Sequence, residues 1–101
     1  MVSLITAAKA QGKISKNAQL KRLEVNLTQK ELATRSGVPL PTLRKFEQKG
    51  TISLEAYLKI QMVLGGLEKI IQAGKPSQNS FSSIDEVLDD YEPQRQRARG
   101  T

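Results

Sequence analysis

The chain has 101 residues, 16 Lys and Arg against 10 Asp and Glu, and a formal net charge of +6, with neither Cys nor His. That length supports one small core with extensions. The missing residue types exclude disulfides and thiolate metal sites and remove the commonest general base.

Positive charge is unevenly spread. Residues 1–27 hold five bases and one acid, residues 28–50 five and two, residues 51–80 three and two, and residues 81–101 three and five. A basic N-terminal half is the electrostatic footprint expected of a phosphate-binding surface. No apolar run is long enough to span a membrane, and the first residues lack the apolar core of a signal peptide, so a cytoplasmic location is expected.

Residues 1–13 form an N-terminal extension, expected to be helical, with Leu4, Ile5, Ala7, Ala8 and Ala10 clustered before a break at Gly12. A helix is predicted from about Ile14 to Val25, with Ile14, Ala18, Leu20, Leu23 and Val25 as its apolar stripe. Asn26 fits a left-handed residue ending it.

From Leu27 to Lys49 the chain reads L-T-Q-K-E-L-A-T-R-S-G-V-P-L-P-T-L-R-K-F-E-Q-K. Thr28 with Glu31 three residues on is a capping box, placing a helix start at Gln29. Ser36-Gly37 ends that helix, Val38 plugs the turn, and Ala33 is small enough for a close helix crossing. A second helix then carries Leu43 and Phe46 inward, leaving Leu40, Pro41, Thr42, Arg44 and Lys45 on or near its outer, N-terminal side. This is helix-turn-helix spacing, whose second helix can lie in a DNA major groove. Thr28, Gln29, Lys30 and Lys49 are candidate phosphate contacts, and Thr42, Arg44 and Lys45 candidate groove contacts. Arg22 invites a phosphate contact as well. An ion pair with Glu47 is the preferred reading, because a carboxylate beside DNA is repelled unless neutralised.

After Gly50, Ser53 caps a helix whose predicted core side carries Leu54, Tyr57, Leu58 and Met62, with Ile60 and Val63 flanking; Gly65-Gly66 stops it. Leu67 to Ala73 is a short apolar helix that closes the core or pairs with a second copy. Residues 74–80 are a linker by composition. In residues 81–101, Ser83 caps an acidic amphipathic helix with Ile84, Val87, Leu88 and Tyr91 on one face, followed by the basic tail Q-R-Q-R-A-R. That helix is too short to stand alone in water, so it folds back or docks on a partner.

From Leu20 to Gly65 the chain resembles the Cro/C1-type, or XRE-type, helix-turn-helix family. The resemblance rests on L-T-Q-x-E-L-A from Leu27, S-G-V at Ser36, T-L-R-K-F-E from Thr42 and I-S-L-E from Ile52. It implies an all-α, five-helix, lambda repressor-like domain over residues 14–73 with a short C-terminal extension. It also implies a backbone contact at Gln29 that supports the recognition helix. Leu40, Pro41, Thr42 and Arg44 or Lys45 fall at positions that meet bases or phosphates, and the family's internal Arg–Glu pair falls on Arg22 and Glu47. Two departures stand out. The recognition helix is capped by Pro39 where Ser or Thr is usual. Leu40 and Pro41 cannot hydrogen-bond a base edge, although both can press on a thymine methyl, so specificity shifts towards Thr42, Arg44, Lys45 and DNA shape.

The whole layout, including the R-Q-R-A-R ending, resembles HipB-like antitoxins encoded beside HipA-type kinase toxins. That resemblance implies a homodimeric repressor of its own operon, binding double-stranded operator DNA and its toxin, without a cofactor. The other readings are a stand-alone phage-type or metabolic repressor and a protein-interaction module using the C-terminal helix. An enzyme is disfavoured. The dense carboxylates Asp85, Glu86, Asp89 and Asp90 are expected on the exposed side of a short helix, without the scaffold that would raise one pKa, and a Mg²⁺ site there is an open but disfavoured reading.

Overall fold

A computed structural model describes residues 4–77. The described residues form five helices and no strand: α1 (Ala7–Glu24), α2 (Gln29–Ser36), α3 (Leu40–Lys49), α4 (Leu54–Leu64) and α5 (Leu67–Ala73). This is the all-α architecture that the sequence implied. The chain divides into two compact units, Met1–Glu68 and Lys69–Thr101. The first holds α1 to α4, in which α1 and α2 each pack on both α3 and α4. The acidic segment with Ile84, Val87, Leu88 and Tyr91, and the basic tail, lie outside the described residues.

The first helix departs from the sequence reading. It starts at Ala7, where the Thr6 hydroxyl accepts the Lys9 N–H at 3.1 Å, and runs without a break through Gly12. One helical Gly costs about 1 kcal/mol relative to Ala, and the good helix formers Ala7, Ala8 and Ala10 with the Thr6 cap outweigh it. The packed face is also different. Ser15, Ala18 and Arg22 are buried, whereas Ile14, Leu20, Leu23 and Val25 are exposed. Small side chains at the first two positions allow close approach to α3 and α4, and the helix rotates to bring Arg22 inward. Asn26 adopts φ +61, and the Asn26 and Leu27 N–H groups donate to the carbonyls of Leu23 and Arg22, closing the helix end in a Schellman motif.

Leu32, Leu43, Phe46 and Ile60 are the largest fully buried side chains. Ala18, Leu27, Ala33, Val38 and Leu64 complete the core around them. Phe46 meets Tyr57 edge-on, with ring centroids 5.7 Å apart. In α4, capped by Ser53 as the sequence indicated, the buried side is Ile60 and Leu64, with Ala56, Tyr57 and Val63 packed beside them. Leu54 and Met62, assigned to the core from their spacing, are each 70% exposed. The apolar residues of this helix form two overlapping stripes, and burial follows the one aligned with α2 and the Phe46 ring.

Two glycines stop helices with φ +78, but their surroundings differ. A Cβ at Gly37 would meet open space, whereas one at Gly50 would lie 3.1 Å from the Gln11 carbonyl oxygen. The Gln11 side-chain amide also donates to the Gly50 carbonyl at 3.3 Å, which ties the N-terminal half of α1 to the end of α3. Gly37→Ala should therefore cost about 1 kcal/mol, the left-handed penalty alone. Gly50→Ala should cost roughly 1 kcal/mol more, because packed backbone must shift. Urea unfolding of the two variants checks this, and equal losses would refute the close-approach explanation.

The capping box of α2 forms as read: the Glu31 N–H donates to Thr28 Oγ1 at 3.0 Å, and the Thr28 N–H donates to Glu31 Oε1 at 2.8 Å. Hydrogen bonding from Thr28, its backbone N–H first, holds the Glu31 carboxyl below its ordinary value of 4.5, with Arg35 helping. A folded-state pKa below the unfolded one stabilises above the ordinary value, and that stabilisation is lost as pH falls through the lowered value. The Tm advantage over Glu31→Gln at neutral pH should thus shrink once the pH drops below 4.5. An advantage that persisted unchanged in acid would contradict this.

Candidate nucleic-acid interface

The turn between α2 and α3 is the three residues Gly37, Val38 and Pro39. Gly37 reverses the chain, with its N–H on the Ala33 carbonyl at 2.9 Å. The Ser36 hydroxyl donates to the Ala33 carbonyl and accepts the Val38 N–H, which leads Val38 into the core at 3% exposure. Pro39 takes the N-cap position with no side-chain hydrogen bond, and Pro41 follows in the first turn. A proline is tolerated there because the N–H it lacks has no partner within the helix. No side chain covers the first turn, so its remaining N–H groups, at Leu40 and Thr42, are available to water or phosphate.

Helical geometry sorts the candidate reading residues. Leu43 and Phe46 face the core. Leu40 is half-buried and packs against that core, and Thr42 is half-buried too. Pro41, Arg44 and Lys45 are exposed on the opposite face. Gln48, which the sequence reading passed over, is exposed and completes that face at the i+7 position from Pro41. The i, i+3, i+4, i+7 spacing was already readable; only the emphasis on the first two turns of α3 hid it. Lys49 is exposed at the flank. Across α2, Thr28 and Lys30 are exposed, and Lys30 stands on the rim of a shallow cleft formed by Ala33, Thr34, Gly37, Pro39 and Leu40. Lys30, Arg44, Lys45 and Lys49 take no part in the ion pairs of the described residues.

Behind this surface lies a buried polar network. The Arg22 guanidinium donates from Nε to Glu47 Oε2 at 2.7 Å and from Nη2 to Glu47 Oε1 at 3.0 Å. Its Nη1 donates to the Leu27 carbonyl at 2.8 Å. Gln29 Nε2 donates to Glu47 Oε1 at 2.9 Å. The two charged side chains are only 8% and 2% exposed. Of the two readings of Arg22, the geometry is that of the ion pair, with the fork of Arg22 filled from inside the fold. Gln29 uses one amide proton on Glu47 and keeps its second for a group outside. The Thr28 hydroxyl accepts the Glu31 N–H and likewise keeps its own proton to donate. Both residues are therefore bound into the fold and still equipped to hold a phosphate.

Removing one partner of a buried pair strands the other, at about 3–5 kcal/mol. Arg22→Met and Glu47→Met should each lose about that much. The double variant Arg22→Met/Glu47→Met should lose less than the two single losses combined. Denaturation of the four proteins measures the coupling, and simple additivity would argue against a shared network.

A profile of helix-turn-helix domains matches residues 19–70, just over half of the chain. No curated protein and no solved structure gives a significant match. The matched stretch contains the capping box, the turn, α3 and the Arg22–Glu47 pair, and among the described residues no helix is long and apolar enough to cross a membrane. The chain belongs to the helix-turn-helix family of Cro/C1 (XRE) type, the family of DNA-binding transcription regulators.

Proposed function

We propose that this protein is a homodimeric, sequence-specific repressor acting as the antitoxin of a toxin–antitoxin operon, with a HipA-type kinase as its toxin. The observation that carries the DNA-binding part is the exposed face of α3. It presents Arg44 and Lys45, unpaired, on a helix held by the Arg22–Glu47 network. Lys30 and Lys49 flank it with further unpaired charge, and Thr28 and Gln29 offer uncharged donors at the start of α2. In this reading the flanking groups hold phosphates and fix register, while α3 enters the major groove. The antitoxin part is supported by the sequence layout, in which a compact DNA-binding unit is followed by an acidic amphipathic segment and a basic tail. That segment, through Ile84, Val87, Leu88 and Tyr91, is the proposed toxin contact.

Titration of the full chain on DNA from upstream of its own gene should show two half-sites about 34 Å apart, centre to centre. Affinity should fall steeply between about 50 and 200 mM salt. Lys49→Ala should flatten the log–log salt slope by about 1 per protomer while weakening all sequences alike. A chain truncated after Ala73 should keep DNA binding and lose the toxin. Salt-insensitive binding would remove the phosphate-dominated reading. Capture of the toxin by the truncated chain would remove the role of the C-terminal segment.

A further inference from the structure

In the first turn of α3, no fully exposed side chain can hydrogen-bond a base. Leu40 turns back against the core, Pro41 is exposed but has no donor or acceptor on its ring, and Thr42 is half-buried. The exposed hydrogen-bonding groups of this helix begin at Arg44 and continue through Lys45 to Gln48, near its C-terminal end. The Gln48 amide is exposed and engages no group among the described residues.

We infer that base recognition in this protein starts one turn into α3 and is carried by Arg44 together with Gln48, with Gln48 selecting adenine. This rests on the DNA-binding reading above and specifies how that surface discriminates sequence. Guanidinium and amide side chains each fit one purine edge in the major groove: Arg pairs with the O6 and N7 of guanine, and Gln with the N6 and N7 of adenine. Arg44 and Gln48 are four residues apart, about 6 Å along the helix axis. Base pairs repeat at about 3.4 Å, so the two side chains address pairs about two steps apart. Pro41 lies a further turn towards the N-terminus on the same face, where its ring can meet a thymine methyl. A helix read this way lies lengthwise in the groove. Entering by its N-terminal tip would put the apolar Leu40 and Pro41 and the half-buried Thr42 against the bases. Lys45, a compact charge with rotatable donors, serves a phosphate or a guanine beside Arg44 without fixing a single base.

The test is selection of binding sites from random duplexes by the full chain, repeated with Gln48→Ala and Gln48→Arg. Both substitutions fall on an exposed position and suit a helix. The wild-type sites should contain a fixed adenine about two pairs from a fixed guanine. Gln48→Ala should flatten the preference at that adenine alone. Affinity for the selected site should drop roughly 5- to 150-fold, while affinity for unrelated DNA and the salt slope stay unchanged. Gln48→Arg should turn the adenine into a guanine. A Gln48→Ala protein with unchanged site preferences overturns the inference. So does uniform weakening on all sequences, because Gln48 would then be holding a phosphate. In either case DNA binding itself stands. Absence of any sequence preference in the wild-type chain would overturn both the inference and the specific-repressor reading.

Discussion

The Arg22 guanidinium ties its own helix to three other parts of the chain: the Leu27 carbonyl between α1 and α2, Gln29 at the start of α2 by way of a shared acceptor, and Glu47 in the last turn of α3. Taking two charges out of water costs several kcal/mol each, repaid only if the geometry is good and the remaining polar atoms are satisfied. Here that condition is met, since no buried side-chain N or O atom among the described residues lacks a partner. Hydrogen bonds in such a site are directional in a way that apolar contacts are not. The pair thus sets how α3 is rotated about its own axis, and with it which residues look outward.

That directional constraint matters because the apolar core is small. Four large side chains are fully buried, and much of the remainder is Ala and Val. A core of this kind supplies stability, but alone it tolerates small rotations of one helix on another. The left-handed stops at Asn26, Gly37, Gly50 and Gly65 reduce that freedom further, each ending a helix at a defined residue. The exposed face from Pro41 to Gln48 is thereby held from behind by charge and from both ends by turns.

What could be read from the sequence was what depends on neighbours a few residues away. The Thr28–Glu31 capping box, the Ser36-Gly37-Val38 turn, the Ser53 cap and the Gly65 stop all declare themselves locally, and all are present. The pair of Leu43 and Phe46 was legible for the same reason. The failures fall on the rotation of helices about their axes. Both α1 and α4 carry more apolar residues than one face can hide, so periodicity alone offered two stripes in each. In α1 the decision was made by Arg22, whose partner is 25 residues away. In α4 it was made by the neighbours of Ile60, which left Met62 outside. The site divides the same way: the Arg22–Glu47 pair and the outward place of Gln48 were readable from spacing, but the inward turn of Leu40 needed the packing of α3 on the core.

The two prolines that open α3 have a consequence for how the surface meets a ligand. Each fixes its own φ and restricts the residue before it, so the unfolded chain has fewer conformations at Pro39 and Pro41 to lose. The same restriction holds in the folded, unbound molecule. Recognition helices that are frayed at their leading end must order that turn at the moment of binding, and the ordering entropy comes out of the affinity. In this chain the leading turn is ordered by covalent ring constraints before any DNA arrives. The fit is set in advance, and the protein gives up the option of adjusting that turn to an imperfect site.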